Sequence, residues 1–527
     1  MVVGDKSQVH NSGGLNCRLT SWFWAAYLGT LLMWRLLSVL HRDEGYSKPR
    51  RVLPGLALGF VALLSATAVG WAQSASHQGA TQPPNILFVL ADQWRFEAFG
   101  YAGNRDVKTP NLDRLQREGV CFVNAVSGMP VCSPMRASFL TGQRPLTHGV
   151  FLNDVPLNPE AVTIAKVLGK AGYDAGYIGK WHVNGDGRSA FIPRERRQGF
   201  DYWKGLECTH DYNHSAYYAD GTQKLYWQGY DAIAQTHDAQ QYLRDHAHAQ
   251  KPFLLVLAWG PPHDPYFTAP EKYRSLYNPA KLTLRPNVPV AGAAKARQTL
   301  AGYYAHCTAL DECLGELRRT LAESGLADNT LLVFTSDHGD MLGSQGAYKK
   351  QRPWDEAIRV PLLMHWPKGL GVKARQLDAP INSEDLMPTL LGLCGVPIPP
   401  CVEGLDYSRY IRGGKNPGDG ATVIQCVSPF GEWIRGNGGK EYRGVRTTRY
   451  TYVRDLHGPW LLYDNRADPC QTNNLVNQPK SARLQGKLDA LLSRKLKERH
   501  DAFLPGDAYI QQWGYKVDAT GTVPYIP

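Results

Sequence analysis

Four short apolar runs in this chain each stop at a cluster of chemically active side chains. Ile86-Leu87-Phe88-Val89-Leu90 ends in Ala91-Asp92-Gln93, and Tyr173 to Ile178 ends in Gly179-Lys180-Trp181-His182. Phe253 to Ala258 ends in Trp259-Gly260-Pro261-Pro262-His263, and Leu331 to Thr335 ends in Ser336-Asp337-His338-Gly339. Runs of this length, bounded by Gly and Pro and separated by helical stretches, predict a layered α/β domain. In open α/β sheets the ligand site lies beyond the carboxyl ends of the strands. Chance surface polarity has no reason to favour the same end four times, so the pattern predicts one assembled site.

A fifth segment carries a different signal, Val131-Cys132-Ser133-Pro134-Met135-Arg136 through Thr141-Gly142. Ser133 reads as an N-cap, Pro134 as the first helical residue and Gly142 as the stop. Cys132 then lies at a helix entrance, where free N–H groups and the positive dipole end favour anions, with Arg136 one turn along. Alone, the same string also describes a reactive or simply buried thiol.

Asp92, Gln93, Asp337 and His338 offer two carboxylates, an amide oxygen and an imidazole. Oxygen donors of this kind suit a hard divalent cation, whereas the imidazole is a poor match to calcium. Asp337-His338-Gly339-Asp340 by itself fits a capped turn after a strand. Its pairing with the Asp92 strand end favours a metal. Lys180 and His182 alternate, and so share one face of an extended segment.

The longer string, C-x-P-x-R followed by a small residue, apolar residues and Thr141-Gly142-x-Arg144, resembles the signature of the formylglycine-dependent sulfatases. The likeness runs from about Asn85 to about residue 495. It implies an alkaline-phosphatase-like fold, with a large mixed sheet flanked by helices and a smaller C-terminal α+β subdomain. It implies that a maturation enzyme oxidises Cys132 to formylglycine, whose hydrate attacks sulfur and forms a covalent sulfo-enzyme. By the same likeness Asp92, Gln93, Asp337 and His338 hold Ca2+, with Mg2+ or another divalent ion also open. Lys180 binds the sulfate and the hydrate, and His182 takes the proton that lets sulfate leave. His263 contacts the ester and helps protonate the leaving alcohol. Lys350, chosen over Lys349 by its spacing to Glu356, is the second sulfate-binding lysine, and Arg136 adds positive charge. Gln345 departs from the histidine that many relatives carry there.

The expected activity is hydrolysis of a sulfated carbohydrate or aryl sulfate. Two other readings stay open at this point. One is a phosphonate monoester or phosphodiester hydrolase sharing the nucleophile. The other is a non-catalytic binding protein in which Cys132 stays a thiol.

The chain has 527 residues and a net charge of +11, without long basic runs. That balance favours an anionic substrate and gives no nucleic-acid platform. Residues 51–83 read as a signal peptide and linker: Arg50-Arg51, an apolar stretch from Leu53 to Val69, then small residues. An exported enzyme, periplasmic or secreted, follows. Residues 1–50 read as an N-terminal extension, with a membrane tether at residues 22–40 the lesser alternative. Setting aside Cys17 and Cys132, the ten cysteines leave eight, and Cys394 and Cys401 flank a turn that a disulfide could staple.

Residues 84–400 form the expected catalytic domain and 401–527 the C-terminal subdomain. Strands are expected around residues 442–446, 450–453 and 461–464, and helices over Tyr303 to Leu321 and Ser481 to about Arg499. Residues 205–230 read as a substrate-facing insertion. Cys208, His210 and His214 within it match no strong zinc pattern. Oligomeric state is left open by the sequence.

Overall fold

A computed structural model describes residues 82–525. The signal peptide, the extension and the tether all fall outside the described residues. The principal sheet has eight strands: β1 (Asn85–Asp92), β2 (Val120–Phe122), β3 (Asp174–Lys180), β4 (Tyr202–Leu206), β5 (Phe253–Pro262), β6 (Thr330–Ser336), β7 (Leu362–His365) and β8 (Arg375–Leu377). Their spatial order is β8-β2-β7-β6-β1-β5-β3-β4. β4, β3, β5, β1 and β6 run parallel, and β7 lies antiparallel to both of its neighbours. The sheet is therefore mixed, as the resemblance implied.

The central strands are apolar on both faces because helices cover both. Ile86, Phe88 and Leu90 of β1 join one core, while Leu87, Val89 and Ala91 join the other. On the first face lie α1 (Cys132–Thr141), α2 (Ile164–Lys170) and α5 (Leu386–Cys394), with Phe139 stacked on Phe88 at 4.2 Å. On the second lie α3 (Asp231–Asp245) and the 31-residue α4 (Ala293–Glu323). Each fully buried Leu or Phe along these faces contributes roughly 1.5–3 kcal/mol. The sheet is thereby held rigidly enough to fix the geometry at its carboxyl edge.

A second sheet of four antiparallel strands spans β9 (Ala421–Cys426), β10 (Tyr442–Thr447), β11 (Tyr450–Asp455) and β12 (Gly458–Asp464). Leu488, Leu492 and Leu496 of α6 (Ala482–Glu498) pack on Val445, Tyr452 and Leu462 of one face. The other face buries Ile424, Tyr442, Val453 and Leu461 against Val126 and Ile358 of the larger domain. Tyr407 and Ile411 still belong to the large domain's core, so the second sheet starts at Ala421. Cys394 and Cys401 carry free thiols, and the proposed staple is not formed. No helix among the described residues is long and apolar enough to cross a membrane.

Candidate active site and metal centre

The carboxyl ends of β1, β3, β5 and β6 converge on the start of α1. The helix begins at Cys132 itself, two residues before the Pro134 start that Ser133 as N-cap predicts. Val131 is the capping position and offers no side-chain bond, while the Ser133 amide donates to Asn153 Oδ1 at 3.1 Å. Ser133 thus yields its role to a partner from a neighbouring loop. Gly142 ends the helix in the left-handed region, as its sequence position predicts.

Cys132 Sγ is the centre of the site. His338 Nε2 lies at 3.2 Å, Lys350 Nζ at 3.5 Å, Lys180 Nζ at 3.6 Å and Asp92 Oδ1 at 3.8 Å. All are buried. Arg136 reaches back as expected, donating from Nη2 to Asp92 Oδ2 at 3.2 Å and Asp337 Oδ2 at 3.0 Å. Its Nη1 donates to the Lys180 carbonyl at 2.7 Å, which ties α1 to the end of β3. Burial and Asp92 push the Cys132 thiol up, but Lys180, Lys350 and His338 outweigh them and hold it well below its ordinary range. Burial also raises Asp92, yet Lys180, His263 and Arg136 prevail and keep it well below the usual carboxylate range.

Several backbones here adopt conformations that side chains rarely take. Gln93, His182, Lys349 and Gln351 all have positive φ. Such strain persists where the surroundings over-determine it, and it concentrates at functional sites. Gly179 has φ +105°, and a Cβ there would sit 2.1 Å from the Ala258 carbonyl oxygen. Only glycine lets β3 and β5 approach closely one residue before Lys180.

Asp92, Cys132, Asp337 and His338 each aim one ligand atom at a common point, all within 4.8 Å of one another. His338 Nδ1 lies 2.9 Å from the Gly339 carbonyl, so it carries the proton and leaves the Nε2 lone pair facing inward. Gln93 Oε1 accepts from Lys350 Nζ at 3.1 Å, and its Nε2 donates to Asp340 Oδ2 at 2.6 Å. Buried Asp340 thereby fixes which end of the amide faces the site. These donors fit a divalent cation, and no other cluster of three or more His, Cys, Asp or Glu with that geometry occurs among the described residues.

His182 faces Asp154 Oδ1 at 3.3 Å, and Arg188 grips the same carboxylate through Nε and Nη2 at 3.1 and 3.0 Å. Burial pulls His182 down, but Cys208, Asp154 and Cys132 lift it to about 9. Burial raises Cys208, while Lys180, His182 and His210 bring it down to about 5. His263 Nε2 accepts from Lys350 Nζ at 2.8 Å, and burial followed by Lys350 holds it well below its normal value. His263 also stacks on His210 at 4.8 Å, so the insertion loop does reach the site. His214 instead stacks on Tyr226, and with Cys208 and His210 forms no zinc cluster.

Lys350 enters the cradle, whereas Lys349 pairs with Asp264. Gln345 turns away and donates to the Gln471 carbonyl at 2.8 Å. Sequence reasoning missed Asp154, Arg188, Cys208 as a neighbour of His182, and Glu432, whose carboxylate lies 3.8 Å from Lys350 Nζ. Asp340 was visible as part of a turn but not as the partner of Gln93.

A model of the sulfatase family matches residues 84–396, and one for the C-terminal part of N-sulphoglucosamine sulphohydrolase matches residues 343–498. An ulvan-active sulfatase of Formosa agariphila is 45% identical over 446 residues, covering 84% of this chain and 87% of its own. An endo-4-O-sulfatase of Bacteroides thetaiotaomicron is 30% identical over 452 residues, covering 74% and 88%. A solved structure in complex with its substrate D-glucosamine-2-N,6-O-disulfate matches with a TM-score of 0.72 at 25% identity, covering 80% of this chain and 99% of that one.

Proposed function

The chain belongs to the formylglycine-dependent sulfatases of the alkaline-phosphatase-like superfamily, and on that premise we propose that its substrate is a sulfated polysaccharide or a saccharide released from one. It hydrolyses sulfate esters. The observation that carries the assignment of residues is the position of Cys132 Sγ, buried within 3.6 Å of His338, Lys350 and Lys180. The saccharide reading rests on the relatives, which act on ulvan or on sulfated amino sugars by description. In this reading the enzyme is exported and depends on a maturation enzyme that converts Cys132.

Asp92, Gln93, Asp337 and His338 would hold the divalent cation, calcium in this proposal, which supplies positive charge to a sulfate oxygen. Arg136, Lys180 and Lys350 add fixed cations around the same point. One hydroxyl of the hydrated residue 132 loses its proton to solvent and attacks sulfur, the bond from sulfur to the ester oxygen breaks, and the alcohol leaves with a proton from the Lys350–His263 pair. His182 then takes the proton of the second hydroxyl, the C–O bond to sulfate breaks and the aldehyde returns, ready for water to rehydrate it. The sum is one sulfate monoester anion and one water giving alcohol, sulfate dianion and a proton.

The test joins two measurements. Peptide mass spectrometry of the matured protein should find residue 132 as formylglycine, and assays on defined sulfated saccharides should find free sulfate. Cys132→Ala should abolish turnover with the fold retained. Full activity in that variant would sink the proposal, and activity confined to small aryl sulfates would sink the saccharide assignment.

A further inference from the structure

Residue 132 is a metal-facing side chain whose donor chemistry changes on maturation, and the consequence for the metal centre does not depend on the substrate. In the chain as encoded, the four inward atoms are a thiol sulfur, an imidazole nitrogen and two carboxylate oxygens. Sγ to His338 Nε2 is 3.2 Å, and Sγ to Asp92 Oδ1 is 3.8 Å. His338 Nε2 lies 3.8 Å from Asp92 Oδ1 and 3.6 Å from Asp337 Oδ1. Tetrahedral zinc bound by sulfur, nitrogen and oxygen separates its ligands by roughly 3.3–3.7 Å, given its usual bond lengths. These four separations fall within about 0.4 Å of the zinc values, inside a set whose ligand atoms all lie within 4.8 Å of one another.

We propose that the unconverted chain carries a Zn2+ site made of Cys132, His338, Asp92 and Asp337, and that formation of formylglycine switches the centre from a thiophilic cation to a hard one. Three observations support it. First, the tautomer of His338 is set by its bond to the Gly339 carbonyl, so its free lone pair points at Sγ; such support for a ligating imidazole is a usual feature of zinc sites. Second, the carboxylates divide their oxygens. Asp92 Oδ2 serves Arg136 and Lys180, and Asp337 Oδ2 serves Arg136, while Oδ1 of each lies on the side of His338, that of Asp337 also accepting the backbone N–H groups of Gln93 and His338 at 2.9 Å. Third, the charge balance differs between the two states. A thiolate gives the centre a third negative charge against Arg136, Lys180 and Lys350, and the neutral hydrate removes it. A soft sulfur and an imidazole favour zinc, while oxygen donors favour calcium or magnesium. Loss of the thiolate therefore removes both the charge and the softness that zinc prefers.

The experiment uses full-length protein made in a host without converting activity, its Cys132 state verified by peptide mass. Zn2+ binding is measured by competition with a chromophoric chelator, and Co2+ serves as the spectroscopic probe. The expected result is one zinc per chain and a thiolate-to-cobalt charge-transfer band. Both should be lost in Cys132→Ser, with zinc affinity falling about 100-fold or more, while the thermal melt without metal stays unchanged. Cys208→Ser, the control for the other thiol near the site, should keep the band. Three outcomes overturn the proposal: equal zinc affinity in Cys132→Ser, a band that follows Cys208 instead, or calcium displacing zinc from the cysteine form at equal concentration. None of these readouts involves turnover, so each separates this proposal from the substrate assignment.

Discussion

His182, the base of the proposed second step, is held in an unfavourable state. To accept a proton it must be neutral, yet its neighbours lift it to about 9, with Cys208 the largest of the raising influences. At neutral pH it is protonated, and because it acts after the alcohol has left, kcat should climb as pH rises toward that value. Cys208→Ser removes the negative sulfur, lowers His182 and should move the acid limb of the kcat profile to lower pH. A pH–rate profile checks this, and an unmoved limb would refute the assignment of either residue. Asp340 makes a second prediction at this scale. It accepts the Gln93 amide N–H at 2.6 Å and the Tyr266 hydroxyl. Asp340→Asn offers an N–H in place of an acceptor and permits the Gln93 amide to turn over. Divalent-cation affinity, followed by the metal-dependent thermal shift with Ca2+ as the probe, should weaken about 10–100-fold with the metal-free melt little changed. The sequence displayed Asp340 only as a turn residue because its partner lies at Gln93, far along the chain. Asp154 was silent for the same reason: one aspartate in Asn153-Asp154-Val155 has no spacing that points to His182.

At the level of elements, the edge of the sheet was legible because strand ends were marked by composition. The central strands are buried on both faces and read as unbroken apolar runs, while Gly and Pro mark where each stops. β2, β7 and β8 are three or four residues long and left no comparable signal. The start of α1 was displaced by two residues because Asn153, which accepts the Ser133 N–H, lies on another loop. The end of β3 carries the clearest test of how elements place chemistry. Gly179→Ala forces a side chain into positive φ and against the Ala258 carbonyl. Strain of that kind costs about 1–3 kcal/mol. Both a lower melting temperature and a loss of kcat are expected, since Lys180 follows directly. A normal rate alongside a lowered melting temperature would mean that the strand end does not position Lys180.

Across the whole molecule, the second sheet completes the site rather than standing apart from it. Glu432, from the loop after β9, lies 3.8 Å from Lys350, and Gln351 exchanges hydrogen bonds with the Phe430 backbone. The family resemblance implied a C-terminal subdomain, but no motif showed that it reaches Lys350. The junction is held by a buried pair in which Arg446 Nε and Nη2 each donate to Asp355 at 3.0 Å. Burial raises Asp355, but Arg446 and Arg359 prevail and depress it. A depressed carboxyl contributes stability above its unfolded value, near 3.9, and that contribution fades as pH falls toward the folded value. Arg446→Met leaves Asp355 buried without its main partner and should cost about 3–5 kcal/mol at neutral pH. Adding Asp355→Leu should recover most of that loss and flatten the acid dependence of unfolding between the two carboxyl values. Denaturant unfolding of the wild type, the single and the double variant across that pH range checks both claims. If the double variant is as unstable as the single one, the junction is held by shape rather than by the ion pair.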